Sequence, residues 1–461
     1  MLALACASTV VISAPALAQN GPAENATAST LSEIEERLRE QEQLIESLQE
    51  QVRKLEAAQT AAGMSGAETS ESTTIPVTGN GLGEVREKTE ILSADELVSA
   101  DFPASWPMFG TDMRMKIGGY LKTDFVFDLD GTLDKNQFLM STIPVEGTPE
   151  YDNDGYFAAF AKESRINFDI RRIKTGAPPL RAFVEGDFFT AGNQFRLRHA
   201  YITVGNFLAG QTWTTLSFLE SLPFMIDFAA GDALFGGRST QIRYTRPVNE
   251  NWKISIALEG LDLLGIENPN GLPGMANTQL PLAAIRADYR WDTGVIFLGS
   301  SIAQLRWDGG TLGPSDEALQ FDFVFAGRQA LNDANYVTWN VSYGVGSGEN
   351  IIAFSGSGAN AVLEADGTLQ TMPAFSALLG YGHEWNSDWS SNFSLAYGWL
   401  DTPASRDPLS LKRGGIGHVN LIWKPAPAFS TGVEYMWGAQ RVQNDALGRA
   451  GRIQFMAKFD F

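Results

Sequence analysis

From residue 114 to the end of the chain, apolar residues return on every second position. In the first such stretch Met115, Ile117, Gly119, Leu121, Phe125 and Phe127 share one face, and Lys116, Lys122, Asp124 and Asp128 share the other. The same rhythm runs through Ile166, Phe168 and Ile170, then Trp252, Ile254, Ile256 and Leu258, then Leu319, Phe321, Phe323 and Phe325. It continues in Val337, Trp339, Val341 and Tyr343 and in Phe393, Leu395, Tyr397 and Trp399. It closes the chain with Ile453, Phe455, Ala457, Phe459 and Phe461, set between Gln454, Lys458 and Asp460, with Met456 the one blurred position. Period two predicts strands with one apolar and one polar face.

The connections between these stretches alternate in length. Segments 129–160, 190–194, 214–237, 261–280, 306–317, 346–373, 401–414 and 441–449 are the longer set; 174–179, 205–206, 247–251, 291–294, 329–333, 386–389 and 424–428 are the short ones. Eight loops and seven turns delimit sixteen strands. Long outer loops alternating with short periplasmic turns characterise outer-membrane barrels, whereas a soluble sandwich has no reason for the alternation. No apolar run reaches the ~18 to 20 residues of a spanning helix, so any membrane span must be a barrel. The final strand resembles the closing strand of bacterial outer-membrane barrels, whose terminal Phe is read by the assembly machinery. Phe461 and Phe459 are the expected assembly signal, and 452–461 should pair with 115–127.

Ahead of the strands, residues 1–18 read as a signal peptide ending in an A-x-A site, although no basic start precedes the apolar stretch. The single cysteine, Cys6, falls inside it. Residues 19–58 are expected to form a periplasmic coiled coil. Leu31, Leu38, Ile45 and Val52 fall on heptad a positions, and Ile34, Gln41, Leu48 and Leu55 on d positions. That narrow seam seeks identical partners, and Gln41 trades stability for register; β-branched a and Leu d positions by themselves lean toward two strands. Residues 59–113 read as a linker, with a short helix around 94–99. The predicted fold is therefore all-β: a 16-stranded antiparallel transmembrane barrel over 114–461, preceded by an α-helical coiled coil.

Charge changes the picture twice. With 34 Lys+Arg against 54 Asp+Glu, a net −20, the chain is no nucleic-acid binder. Yet 161–213 holds eight basic groups (Lys162, Arg165, Arg171, Arg172, Lys174, Arg181, Arg196, Arg198) against Glu163, Asp169, Glu185 and Asp187. Alternation puts Arg165, Asn167, Asp169 and Arg171 on one polar face, Arg196 and Arg198 on another, and Gln241 and Arg243 on a third, with Arg238 just before it. Charge on the lipid face costs ~2 to 4 kcal/mol at mid-depth, so these groups should face the lumen as a basic wall.

The segment 214–237 is apolar for a loop (Leu216, Phe218, Leu219, Leu222, Phe224, Met225, Ile226, Phe228), and folding into the barrel would cover it. Its acids Glu220, Asp227 and Asp232 are then expected across from the basic wall, where opposed charges select permeants. Guanidinium forks would bind carboxylates in succession, giving a pore for small organic anions. Three alternatives stand beside this reading. The charges could merely solvate the lumen and neutralise each other; the −20 chain could be a nonselective or cation-preferring pore; or the loops could serve an outer-membrane enzyme or adhesin.

No catalytic, cofactor or metal site is expected. Asp128-Leu-Asp130-Gly-Thr132-Leu matches the nucleophile motif of haloacid-dehalogenase-type phosphatases, but the preceding strand alternates and no helix follows. Asp128, Asp130, Asp134, Asp152 and Asp154 could hold Ca²⁺ or bridge lipopolysaccharide cations, or simply form a solvated acidic loop. His199, His383 and His418 show no metal spacing, and Gly344-Val-Gly346-Ser-Gly348 is loop punctuation. Trp252, Trp291, Trp385, Trp389, Trp399, Trp423 and Trp437 suit interfacial girdles.

Arg196-Leu-Arg-His-Ala-Tyr201, Gly205-Asn-Phe-Leu-Ala-Gly-Gln-Thr-Trp213 and Gln241-Ile-Arg-Tyr-Thr245 resemble the DcaP-like outer-membrane porins. The resemblance covers nearly the whole chain after the signal. It implies a sixteen-stranded homotrimeric channel whose N-terminal helices form a periplasmic three-stranded coil. It also implies uptake of small anions such as dicarboxylates and aromatic acids. The expected partners are further copies of the chain, outer-membrane lipid and lipopolysaccharide, and small anionic solutes.

Overall fold

The computed structural model describes residues 102, 104–108, 110–172, 178–229, 231–261 and 264–461. The signal, the heptad residues Leu31, Ile34, Leu38, Ile45, Leu48, Val52 and Leu55, and the 94–99 helix lie outside the described residues.

Sixteen antiparallel strands form one closed sheet. They are β1 (Met113–Asp128), β2 (in two pieces, Tyr156–Phe160 and Arg165–Arg172), β3 (Leu180–Asp187), β4 (Arg196–Val204), β5 (Phe207–Trp213), β6 (Arg238–Pro247), β7 (Trp252–Glu259) and β8 (Leu282–Trp291). There follow β9 (Gly294–Asp308), β10 (Asp316–Asn332), β11 (Asn335–Val345), β12 (Pro373–Glu384), β13 (Trp389–Leu400), β14 (Leu411–Ala426), β15 (Phe429–Val442) and β16 (Leu447–Asp460). Each strand pairs with the next, and β16 returns to β1 with Phe459 opposite Leu121 and Phe455 opposite Phe125. Beyond the last pair, Phe461 exchanges backbone hydrogen bonds of 3.1 and 3.2 Å with Gly119. Gly119 has φ +150°, and a Cβ there would sit 2.2 Å from the Arg165 carbonyl oxygen. Glycine is what lets β1 pass so close to β2 where the barrel closes. Trp106–Pro107, at the end of the stretch read as a linker, pair with Met115 and Arg114 at the foot of β1.

Alternation works as the sequence suggests, with the usual sense of burial reversed. Leu121, Phe125, Ile202, Ile242, Leu298, Phe323, Leu379, Phe455 and Phe459 are exposed on the outside, while Lys122, Asp124, Glu185, Arg198, Asn340, His418, Glu434 and Gln454 are buried inside. A wall this apolar is stable where hydrocarbon, not water, covers it. Met456, ambiguous by pattern, points inward with Ile226 and Ile422. At the short-turn end Trp389 stacks on Trp423 at 5.6 Å and Trp252 lies 4.8 Å from Tyr289, an aromatic band suited to a membrane interface.

The short turns, such as 205–206, 292–293 and 427–428, gather at one end and the long loops at the other. Three short strands, Ile266–Glu267, Ala361–Leu363 and Leu369–Thr371, knit two of the long loops into a small separate sheet. The main apolar cluster lies inside the barrel. Phe138, Met140 and Ile143 of the first loop meet Phe218 and Phe235 of the third and Ile351 and Phe354 of the sixth. No described helix is long and apolar enough to cross a membrane.

Candidate functional site: the channel interior

One side of the interior is built by β2–β6. Their inward positions carry arginines because outward positions would place charge in lipid. Asp169 accepts from both Arg171 (2.6 Å) and Arg181 (2.9 Å), and Arg181 also donates to the Tyr201 hydroxyl (2.8 Å). Asp187 accepts a two-point contact from Arg196 (2.9 and 2.8 Å) and a third bond from Arg198 (3.0 Å). Arg198 reaches Glu185 at 3.0 Å, and Arg165 lies 3.9 Å from the same carboxylate. Arg243 donates to Gln241 (2.9 Å) and to the Trp213 carbonyl (2.8 Å), to which Gln241 also donates (2.9 Å).

Arg238 has no carboxylate partner among the described residues. Its guanidinium lies over the Trp213 ring at 5.0 Å, repelled by Arg198, Arg196 and Arg165 and attracted by Asp187. Arg165, Arg171, Arg181, Arg196, Arg198, Arg238 and Arg243 thus face four carboxylates: Asp169, Glu185 and Asp187 on the strands, and Glu163, which lies 3.8 Å from Arg165 between the two pieces of β2. The structure brings the eight residues expected in the basic wall onto one continuous run of strands.

The third loop, 214–237, does fold inward, and its tip is fastened to the opposite wall. Glu434 on β15 is the main anchor. Its two oxygens accept from the backbone N–H of Ile226 (2.7 Å) and Asp227 (3.1 Å), from His418 on β14 (3.1 Å) and from Asn420 (3.0 Å). Asn420 also donates to the Phe224 carbonyl (2.8 Å), and Lys122 on β1 donates to the Ile226 carbonyl (2.6 Å) while pairing with Glu163. Ile226 packs between Ile422 and Met456. Nearer its ends, the loop stacks Phe218 on Phe297 of β9 at 5.4 Å and accepts from the Ala353 N–H at the Asp232 carbonyl (2.8 Å).

This arrangement corrects the expected position of the loop's acids. Asp227 accepts from the N–H groups of Phe138 (3.0 Å) and Ala229 (3.0 Å), and Asp232 from that of Met140 (2.8 Å). Both are buried carboxyls that fasten the first loop to the third, and burial pushes each up to about 7. Glu220 pairs with Arg290 on β8 at 2.5 Å. None of the three faces the basic wall. What the loop presents there is Phe228, stacked on Phe189 at 3.9 Å and 14°, with the guanidinium groups of Arg196 and Arg198 at 5.5 and 5.9 Å from its ring. A buried carboxyl without an ion partner is costly unless hydrogen-bonded, and here backbone N–H groups donate to both acids.

The acidic run of the first loop is similarly occupied. Asp128 is bound by Arg452 (3.0 Å), Thr132 and the N–H groups of Asp130 and Thr132, and Asp130 accepts from the Gly451 N–H (2.7 Å). No group of His, Cys, Asp and Glu side chains that could hold a metal occurs among the described residues. His199 is held by Thr212 (3.0 Å) and His418 by Glu434, far apart in the barrel wall. Sequence reasoning missed Glu434, His418, Asn420, Lys122, Phe189 and Arg452. Each lies on the polar or loop parity the pattern shows, but what each binds is set by contacts such as Ile226 to Glu434, 208 residues apart.

Comparison with known proteins agrees with this architecture. The model of the DcaP outer membrane protein family matches residues 81–461. The chain belongs to that family. Among solved structures the outer membrane channel DcaP of Acinetobacter baumannii superposes with a TM-score of 0.66 at 18% identity, covering 78% of this chain and 100% of that one. The anion-selective porin from Comamonas acidovorans has a TM-score of 0.52 at 10% identity, covering 76% and 100%. Salmonella typhi OmpF, in complex with daunomycin, has a TM-score of 0.50 at 10% identity, covering 77% and 99%. At these identities the likeness establishes the fold: an outer-membrane porin barrel. No curated protein sequence matches the chain.

Proposed function

We propose that this DcaP-family barrel is a passive channel preferring small organic anions. The observation that carries it is the excess of guanidinium groups on β2–β6, with Arg238 lacking a carboxylate partner among the described residues and Arg243 bonded to Gln241 and a backbone carbonyl. A weakly bound carboxylate can trade hydrogen bonds along such a row without leaving an unpaired charge behind. The acids of the third loop, being buried or paired elsewhere, do not cancel the row. The Comamonas acidovorans porin is anion-selective, which is in keeping with this reading. No catalytic role is proposed.

The alternative, a nonselective or cation-preferring pore, draws on the net charge of −20. Homotrimeric assembly and a periplasmic coil over 31–55 belong to the same proposal and rest on the family resemblance and the heptads. Liposome swelling with mono- and dicarboxylates, sugars and amino acids tests it: carboxylates should permeate several-fold faster than neutral solutes of equal size. Equal rates would overturn the anion preference.

A further inference from the structure

The outside of the barrel carries an arginine group that the channel does not use. Strand register places outward-facing residues in rows across β13–β16. The row nearest the long-loop end reads Trp399, Arg413, Arg441 and Leu447, and the next reads Tyr397, Gly415, Ala439 and Arg449. Arg413 and Arg449 are exposed, and none of the three arginines has a carboxylate partner among the described residues. Arg441 donates to the Asp445 backbone carbonyl (2.7 Å). Three cations thus converge on a lipid-facing wall of a chain with net charge −20, where each would be costly against hydrocarbon.

Directly beneath them the wall is hollow. Gly415, Gly417 and Gly451 supply no side chain, and a groove of about 510 Å³ runs between Leu395 and the stacked Tyr435–Trp437 pair. The Trp437 ring covers Gly417 so closely that a Cβ there would lie 2.2 Å from it, so the ring forms a wall of the groove. The one acid in the lining, Asp130, is engaged by the Gly451 N–H.

We infer that this face binds a phosphorylated glycolipid of the outer leaflet. Arg413, Arg441 and Arg449 hold the phosphate groups, and one acyl chain lies in the glycine-floored groove below. Charge complementarity fixes the headgroup, because guanidinium forks match phosphate oxygens. The vertical order, cations above and apolar groove beneath, matches the order of headgroup and chains in a membrane leaflet. The inference rests on the long-loop end facing outward and is independent of which solute permeates.

The test uses the full-length protein in detergent, with native mass spectrometry of bound lipid. Bisphosphorylated lipid A, its dephosphorylated form and phosphatidylglycerol are the probes. Replacing all three arginines with Gln should weaken lipid A binding at least five-fold and leave the dephosphorylated form unaffected. Ala439→Leu, which fills the groove, should weaken both lipid A forms. Heat-modifiable gel migration confirms that each variant is a folded barrel. A smaller loss in the triple variant overturns the inference, as does phosphatidylglycerol binding as tightly as lipid A. Inter-subunit cross-linking through Ala439→Cys would also overturn it, making this face a contact between copies. Orientation is read separately by labelling Leu312→Cys in intact cells: reaction with an impermeant maleimide supports outward long loops, and protection overturns that premise even if detergent binding persists.

Discussion

The two sides of the barrel interior use similar polar alternation to opposite ends. Strands β3–β7 are short, 7 to 10 residues. The inward arginines of β3 and β4 pair with carboxylates on adjacent strands, whereas on β6 Arg243 donates to Gln241 and the Trp213 carbonyl and Arg238 has no carboxylate partner among the described residues. Strands β14–β16 are longer, 14 to 16 residues, and their inward Asn420 and Glu434 bind backbone groups of the third loop. On the first side Arg165, Arg171, Arg196 and Arg238 keep partial exposure, while Arg181, Arg198 and Arg243 are buried. The second spends its polar groups as a mount. Polar parity in a strand therefore says that a residue faces inward, not whether it meets solute or a folded-in loop.

The largest effect is expected where the mount is removed. Glu434→Ala strands two buried N–H groups of the loop tip and the His418 ring together, a loss of about 3 to 5 kcal/mol by the cost of breaking buried charged hydrogen bonds. Single-channel conductance should rise as the tip leaves the lumen, and thermal stability should fall. Unchanged conductance would mean that the tip does not set the constriction.

Asp227 gives a smaller and more discriminating change. Asp227→Ala removes the acceptor for Phe138 and Ala229 and should destabilise the loop by about 1 to 3 kcal/mol. Asp227→Asn keeps an acceptor and replaces a group already inclined to be neutral, so it should behave nearly as the parent. If Asn proved as damaging as Ala, the carboxyl would be acting as a charge.

That same inclination predicts a pH response. Asp227 and Asp232 hold their protons up to about 7, well above an ordinary carboxyl at 3.8. A value raised in the folded protein adds stability that is complete below the unfolded value and is lost as pH rises through the folded one. The loop should therefore be held more firmly at pH 5 than at pH 8, with His418, Glu434 and Arg452 as the charged neighbours of Asp227. Current flicker in single-channel records should increase from pH 5 to pH 8, and the opposite order would contradict the assignment.

On the basic side, Phe228→Ala should leave stability little changed and raise conductance modestly, since it removes the ring stacked on Phe189 beside Arg196 and Arg198. A change as large as that of Glu434→Ala would erase the distinction between wall and mount.

Much of this architecture is legible in the chain. Period-two apolarity in 452–461 and in 115–127 gives both strands and the faces that meet lipid, and loop lengths give their number. The greasy sequence Leu216 to Phe228 is enough to send the third loop inward. The destinations of its acids are not legible, because they depend on Phe138, Met140 and Arg290, residues distant in sequence and met mostly through backbone groups. Sequence records that an acid sits on a covered loop; only packing decides whether it faces an arginine or an amide.

The central claim, that the guanidinium row sets selectivity, is tested most directly by reversal potentials in planar bilayers under a salt gradient of a small carboxylate. The parent should be anion-preferring. Arg238→Gln removes a cation without stranding a carboxylate and should shift the potential toward cations, and Arg196→Gln with Arg198→Gln should shift it further by exposing Asp187 and Glu185. A cation-preferring parent whose potential is unmoved by these substitutions would contradict the account.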